Sequence, residues 1–361
     1  MAHTDELARA GQSIWLDNIT RDMLASGTLA RYIGELSVTG LTSNPAIYDK
    51  AVGGSAAYDP EIERLHAAGR DGQAIFFELA LDDLTRAADL FAPIHRRTHG
   101  VDGFVSLEVS PLLAHDATTT IHDARELHGR AGRPNLFIKI PGTKEGLHAI
   151  EETIFSGVPV NVTLLFTAEQ YLAAAEAYTR GIERRVEAGL DPYVPSVASV
   201  FVSRWDGGAG QLPADLHLQL GLVMSRKTYV AYRELLDGAR WQRLLNVGAR
   251  PQRLLWASTG TKDPNASDVY YIEALASPFT VNTMPEETLL AFADHGRMSV
   301  TLDPRADPAD DALLARFAAA GVDVAALGQQ LQDQGVNAFI KAWDSLMGRI
   351  ETKAAAIGAG R

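Results

Sequence analysis

The chain has 361 residues, 46% hydrophobic and 22% charged, which is enough apolar material for a large core and excludes a chain disordered throughout. Its 45 acidic and 33 basic side chains leave a net charge of −12, which argues against a nucleic-acid or anionic-membrane surface. Cysteine is absent, excluding disulfides, zinc thiolates and thiol nucleophiles. No apolar run approaches the roughly 18 residues of a membrane span. The start of the chain lacks the basic-then-apolar pattern of a signal peptide. A cytoplasmic protein is expected. A small anionic ligand stays compatible with the charge, because a pocket needs only a few local cations.

Eight short segments read as buried strands: 13–17, 38–44, 104–109, 136–140, 160–166, 197–202, 254–259 and 279–283. Most are continuous apolar runs, as expected for parallel strands covered on both faces. Helical periodicity fills the intervals, at 73–97, 167–188, 215–237 and 286–293. The second of these opens with Thr167-Ala168-Glu169-Gln170, a capping-box pattern. An extra short helix is expected at 61–68, inside a long interval between strands. The alternation predicts a single (β/α)8 barrel spanning 1–361. An open doubly wound sheet is the alternative, but Asp17-Asn18-Ile19-Thr20 is no glycine fingerprint. After Asp303 the pattern is helical only, so 305–361 reads as a C-terminal helical extension packed on the barrel. Phe339, Trp343, Leu346 and Ile350 form its apolar stripe, for packing or as part of a lid. The tail 354–361 is expected to fray.

Polar residues interrupt these apolar strands near their C-terminal ends, where barrels build active sites. They are Asp17, Asn44, Glu108, Lys139, Asn161, Thr163 and Ser199, with Arg204 and Ser258-Thr259-Gly260-Thr261-Lys262 just beyond. Lys139 is one of seven lysines and lies in Leu-Phe-Ile-Lys-Ile-Pro. Desolvation favours its neutral amine, a nucleophile whose natural electrophile is a carbonyl. The plain alternative is an edge-strand lysine reaching solvent. Glu108 and Asp17 are carboxyls suited to proton transfer, or else caps for the following helices. Arg204 and Lys262 are candidate phosphate ligands, with backbone donors of the 258–262 loop; the alternative there is an ordinary turn. Gly207-Gly208-Ala209-Gly210 reads as a flexible loop, and the ten histidines as surface residues without metal-ligand spacing.

Several motifs then carry a resemblance. Gly40-Leu41-Thr42-Ser43-Asn44-Pro45, the stretch 135–141 around the lysine, and Asn161-Val162-Thr163-Leu164-Leu165-Phe166 resemble the transaldolase family in its longer bacterial form. Trp256-Ala257-Ser258-Thr259-Gly260-Thr261-Lys262 and Thr280-Val281-Asn282-Thr283-Met284-Pro285 agree further along. The resemblance covers nearly the whole chain. It implies a (β/α)8 barrel without cofactor or metal, in the pentose phosphate pathway. The implied reaction moves a dihydroxyacetone unit from sedoheptulose 7-phosphate to glyceraldehyde 3-phosphate, giving erythrose 4-phosphate and fructose 6-phosphate. It implies Lys139 as the Schiff-base lysine and Glu108 as the acid/base, working through a water held partly by Thr163. Asp17 is implied as acceptor of the C4 hydroxyl proton, and Asn44 and Asn161 as contacts of the dihydroxyacetone hydroxyls. Ser199 matches a site serine, and Arg204 and Ser258 match phosphate contacts. One departure is that shorter members carry an arginine two residues after Ser258, where this longer loop has Lys262 instead. The competing readings are a class I aldolase releasing free dihydroxyacetone, a pyridoxal-phosphate barrel enzyme, and a non-catalytic sugar-phosphate-binding barrel. The expected partners are sugar phosphates, not nucleic acid or membrane. Oligomeric state stays open between monomer and homodimer.

Overall fold

The computed structural model describes residues 3–210, 212–298 and 301–359. Eight parallel strands close into a barrel in chain order, β1 pairing with both β2 and β8. They are β1 (Gln12–Leu16), β2 (Val38–Thr42), β3 (Val105–Glu108), β4 (Leu136–Pro141), β5 (Val160–Leu165), β6 (Ser196–Phe201), β7 (Arg253–Ala257) and β8 (Thr280–Met284). β3 to β6 and β8 are buried at every position, which is why their sequences run apolar instead of alternating.

Side chains two apart on a strand share a face, and that rule builds the barrel interior. Trp15, Phe104, Phe137, Val197, Leu255 and Val281 belong to one apolar cluster. Two residues further along the same inward row stand Asp17, Ser106, Lys139, Ser199, Ala257 and Thr283. An apolar plug therefore fills the lower barrel and a polar layer sits above it. Gly40 belongs to the lower layer on β2. A Cβ there would lie 2.7 Å from the Trp15 indole and 2.6 Å from the Phe104 carbonyl, so only glycine lets the ring fill the plug.

The two long intervals are accounted for by extra helices. The β2–β3 connection holds Pro45–Gly54, Asp59–Ala67 and Gly72–Arg97. The β6–β7 connection holds Arg204–Gly208, Leu220–Asp237 and Ala239–Asn246. The expected capping box is present: Thr167 accepts from Gln170 N while the Gln170 side chain accepts from Thr167 N. Asp17 caps no helix; Thr20 takes that role, accepting from Met23 N at 3.0 Å. The stretch from Gly207 is not a plain flexible loop, because Gly207 and Gly208 end a short helix, Arg204–Gly208. The Asp206 side chain anchors it by accepting from Leu220 N at 3.0 Å and from the Tyr271 hydroxyl at 2.7 Å.

Beyond Pro308–Ala319, a C-terminal helix, Val324–Ala359, crosses the upper end of the barrel. It continues through most of the tail expected to fray; residues 360–361 lie outside the described residues. Gln332 donates to the Gly142 and Leu164 carbonyls at 3.0 and 2.9 Å, pinning the helix to the loop after β4 and to the end of β5. Farther on, Trp343 packs against Phe76 and Phe77, with ring centroids 5.1 and 5.8 Å away. Leu346 and Ile350 are fully buried along the same stripe. Among the described residues no helix is long and apolar enough to cross a membrane.

Candidate active site

The polar layer opens into a cavity of ≈ 230 Å³ at the C-terminal ends of the strands. Asp17, Asn44, Lys139, Thr163, Ser199, Arg204, Ser258 and Lys262 line it. Glu108 and Asn161 are not part of the lining; they stand beside it, bonded to residues of the polar layer.

Strand register brings Lys139 level with Glu108 on β3 and Asn161 on β5. Lys139 is 5% exposed and Glu108 6%. The Lys139 ammonium donates to Glu108 Oε2 at 3.2 Å and to the Ser43 carbonyl at 3.0 Å. A lysine amine has three hydrogen-bonding directions, so one is left toward the cavity. The edge-strand reading is thereby overturned: Lys139 does not reach solvent, because its strand is internal and its amine is held by a carboxylate. Burial pushes the Glu108 carboxyl above its ordinary value, against the opposing pull of Lys139.

Asp17 follows β1 and receives a 2.7 Å hydrogen bond from Thr42, whose hydroxyl also meets that of Thr283 at 2.7 Å. Burial raises the Asp17 carboxyl. The Thr42 bond and the charges of Lys139 and Arg204 oppose this, while the nearby Glu287 carboxylate adds to it. Asn161 donates to Ser106 Oγ at 3.1 Å and accepts from Ser199 at 2.7 Å, so one chain of bonds fixes all three side chains. The Thr163 hydroxyl lines the cavity and is buried without a hydrogen-bond partner. The next residue, Leu164, takes a left-handed backbone (φ 61°) where the β5–β6 register shifts. Asn44 divides its role: its Oδ1 caps the helix Pro45–Gly54 by accepting from Ile47 N, and the residue also lines the cavity.

The outer wall is cationic. Arg204 lies with its guanidinium 4.9 Å from the Phe201 ring and 5.9 Å from the Phe339 ring, and burial lowers its pKa. Lys262 closes the other side, with Ser258 (φ 56°) bonded to Ser203 at 2.9 Å. Sequence reasoning assigned no role to Thr42, Thr283 or Glu287, which line the cavity, and left Phe339, also in the lining, between packing and a lid. The first two were findable as inward positions at strand ends. Glu287 comes from a helix whose periodicity says nothing about the barrel mouth. Elsewhere, His122, Asp123 and Glu126 meet on the helix Ala117–Ala131, with His122 and Glu126 exposed, an arrangement common on protein surfaces without a ligand role.

A buried amine between carboxylates, with hydroxyls above and cations at the rim, suits addition to the carbonyl of an anionic compound. Fold and site thus describe a (β/α)8-barrel enzyme with a lysine at its centre. The model of the transaldolase/fructose-6-phosphate aldolase family matches residues 14–350. A transaldolase of Frankia alni is 43% identical over 356 residues, which are 96% of this chain and 95% of the relative. A transaldolase of Thiobacillus denitrificans is 42% identical over 96% of this chain and 99% of its own length. A protein named transaldolase 2 from Nostoc punctiforme is 40% identical over 97% of both chains. The chain belongs to the transaldolase/fructose-6-phosphate aldolase family.

Proposed function

We propose that this family member works as a transaldolase, moving a dihydroxyacetone unit from a ketose phosphate to an aldose phosphate through an imine on Lys139. The observation that carries the reading is the juxtaposition of the Lys139 amine with Glu108, 3.2 Å apart, at the foot of a cavity rimmed by Arg204 and Lys262. Full-length relatives named transaldolase support it.

In this mechanism the neutral Lys139 amine adds to the donor ketone. Glu108, with a water held at the unpartnered Thr163 hydroxyl, protonates the carbinolamine oxygen, and loss of water gives the iminium. Asp17 takes the C4 hydroxyl proton as the C3–C4 bond breaks, and the departing carbons leave as an aldehyde. The electron pair stays on the bound three-carbon unit as an enamine. An acceptor aldehyde then receives that pair, Asp17 returns the proton, and hydrolysis of the new imine frees the product ketose. Asn44, Asn161 and Ser199 orient the hydroxyls of the three-carbon unit. Arg204, Ser258 and Lys262 hold the phosphate, lysine as a point charge instead of a bidentate fork. The reaction as written needs no metal or redox cofactor.

The test is borohydride reduction in the presence of fructose 6-phosphate, followed by peptide mass mapping. A dihydroxyacetone-sized adduct on Lys139 is expected, and adding erythrose 4-phosphate before the reductant should discharge it into sedoheptulose 7-phosphate. Lys139→Met should lose turnover and adduct together. Appreciable turnover in that variant would refute the imine. An adduct that erythrose 4-phosphate cannot discharge would favour the aldolase reading, which the family description also covers.

A further inference from the structure

The barrel has a second opening, at the N-terminal ends of its strands and thus at the opposite end from Lys139. It is a basin of ≈ 540 Å³, larger than the upper cavity and mostly apolar. Its walls include Phe104 and Phe137, stacked with centroids 4.2 Å apart, together with Val197 and Leu236. The volume and lining are those of small-molecule sites: largely hydrophobic, with a few placed polar groups.

The charged pair set into the wall is spent on the protein itself. Asp102 accepts from Trp15 Nε1 at 2.8 Å and from Gly103 N at 2.9 Å. Arg253 donates to the Val101 and Thr280 carbonyls at 3.1 and 2.8 Å and to Ser13 at 2.7 Å. Arg250, also in the lining, is different: among the described residues it has no carboxylate partner. Its guanidinium rests 5.7 Å from the centre of the Tyr193 ring, and Tyr193 is itself fixed by donating to the His99 carbonyl at 3.2 Å. Gly100 follows, at φ 73°, where a Cβ would run into the Tyr193 hydroxyl. An uncommitted, positioned cation on a chain of net charge −12 marks a local place for an anion.

A third observation concerns the rim. Phe279 is 62% exposed, yet its backbone is held left-handed at φ 62°. That conformation is rare for a bulky residue and persists only where its surroundings impose it. Phe279 N donates to Gly11 O at 2.9 Å, Tyr232 donates to Phe279 O at 2.9 Å, and the Arg233 guanidinium lies 5.1 Å from the ring. The chain thus fixes a large apolar ring at the edge of an apolar basin, in water.

We propose that this basin is a binding site for an amphipathic monocarboxylate. Its hydrocarbon or aryl body lies against Phe104, Phe137, Val197 and Leu236, Phe279 covers it, and its carboxylate pairs with Arg250. Charge complementarity selects this class over a neutral or cationic amphiphile, because the remaining charged groups of the wall are paired.

Isothermal titration of octanoate, octanol and octylammonium into the full-length protein tests it, with Arg250→Ala and Phe279→Ala alongside. Octanoate is expected to bind at one site per chain, about threefold or more tighter than octanol, the size of an ion pair near solvent. Arg250→Ala should remove that preference while leaving octanol affinity and sugar-phosphate transfer unchanged. Phe279→Ala should weaken both ligands. No heat with octanoate, equal affinity for octanoate and octanol, or an unchanged preference in Arg250→Ala would each overturn the proposal. So would a dimer that dissociates in Phe279→Ala without any octanoate binding, since the basin would then be a contact between two copies.

Discussion

Burial raises the Asp17 carboxyl above its ordinary range while the Thr42 hydroxyl holds in place the group that the proposed mechanism uses for proton transfer. The stability consequence follows from the direction of the shift. A carboxyl with a raised folded-state pKa is tolerated when protonated, and it costs stability progressively as pH rises through that value. Asp17→Asn keeps an acceptor for Thr42 and removes the charge. The variant should therefore melt above the wild type at pH 7 to 8 and alongside it near pH 4, with turnover lower by ~10²-fold or more. Thermal melts at the two pH values decide this; a variant less stable at pH 7 would mean that the charge is a net stabiliser. Glu287 is the second lever, because its carboxylate disfavours ionised Asp17 and touches none of the bond-making steps. Glu287→Gln should move the acid limb of the kcat/KM profile to lower pH, since more acid is needed to protonate an Asp17 freed of that repulsion. An unmoved limb would assign it to another group, Glu108 first.

At the scale of elements, the C-terminal helix separates what periodicity reveals from what it hides. Phe339, Trp343, Leu346 and Ile350 recur at helical spacing, so the stripe is visible in the sequence, and its burial follows from it. Gln332 carries no such signal. Its value lies in two backbone carbonyls that no pattern announces, one of them on Leu164, beside Thr163. The glycine-bearing helix Arg204–Gly208 was hidden for a similar reason: its anchor, Asp206, bonds to a tyrosine 65 residues away in the chain. The stripe was legible, and at its Phe339 end the lid alternative applies beside the packing one: the ring stays in an apolar cluster and also lines the cavity, 5.8 Å from the Lys139 amine. In the proposed mechanism such a roof would keep water from the enamine until an acceptor arrives. Phe339→Ala should retain borohydride trapping on Lys139 and shift product from transferred ketose toward free dihydroxyacetone. Measuring both products in one reaction checks it. An unchanged ratio would place the water barrier elsewhere.

For the whole molecule, the eight strands were legible because two-sided burial turns each into an apolar run, and the site was legible because polar residues break those runs at one end. Which polar residues face the cavity was only half legible. Glu108 and Lys139 sit level on adjacent strands, yet one lies beside the cavity and the other lines it, a distinction made by packing and not by spacing. Whether the barrel and the 305–361 extension unfold as one body belongs to this scale too. Trp343 is 2% exposed and wedged between Phe76 and Phe77, rings of the long helix in the β2–β3 connection. Arg349 and Lys353 continue the seam by pairing with Asp49 at 2.6 Å and Asp59 at 2.5 Å. Such partly exposed pairs add little each, so the aromatic contact dominates. If the extension is one unit with the barrel, calorimetry of the wild type should show a single transition. Trp343→Ala should then lower that whole transition, by about 3–5 kcal/mol for a large ring removed from a filled core. Because the same helix carries Phe339 over the site, the folded variant should also leak dihydroxyacetone. Two wild-type transitions, with only the smaller moved by Trp343→Ala, would make the extension an independent cap, and the roof over Lys139 would then open without unfolding the barrel.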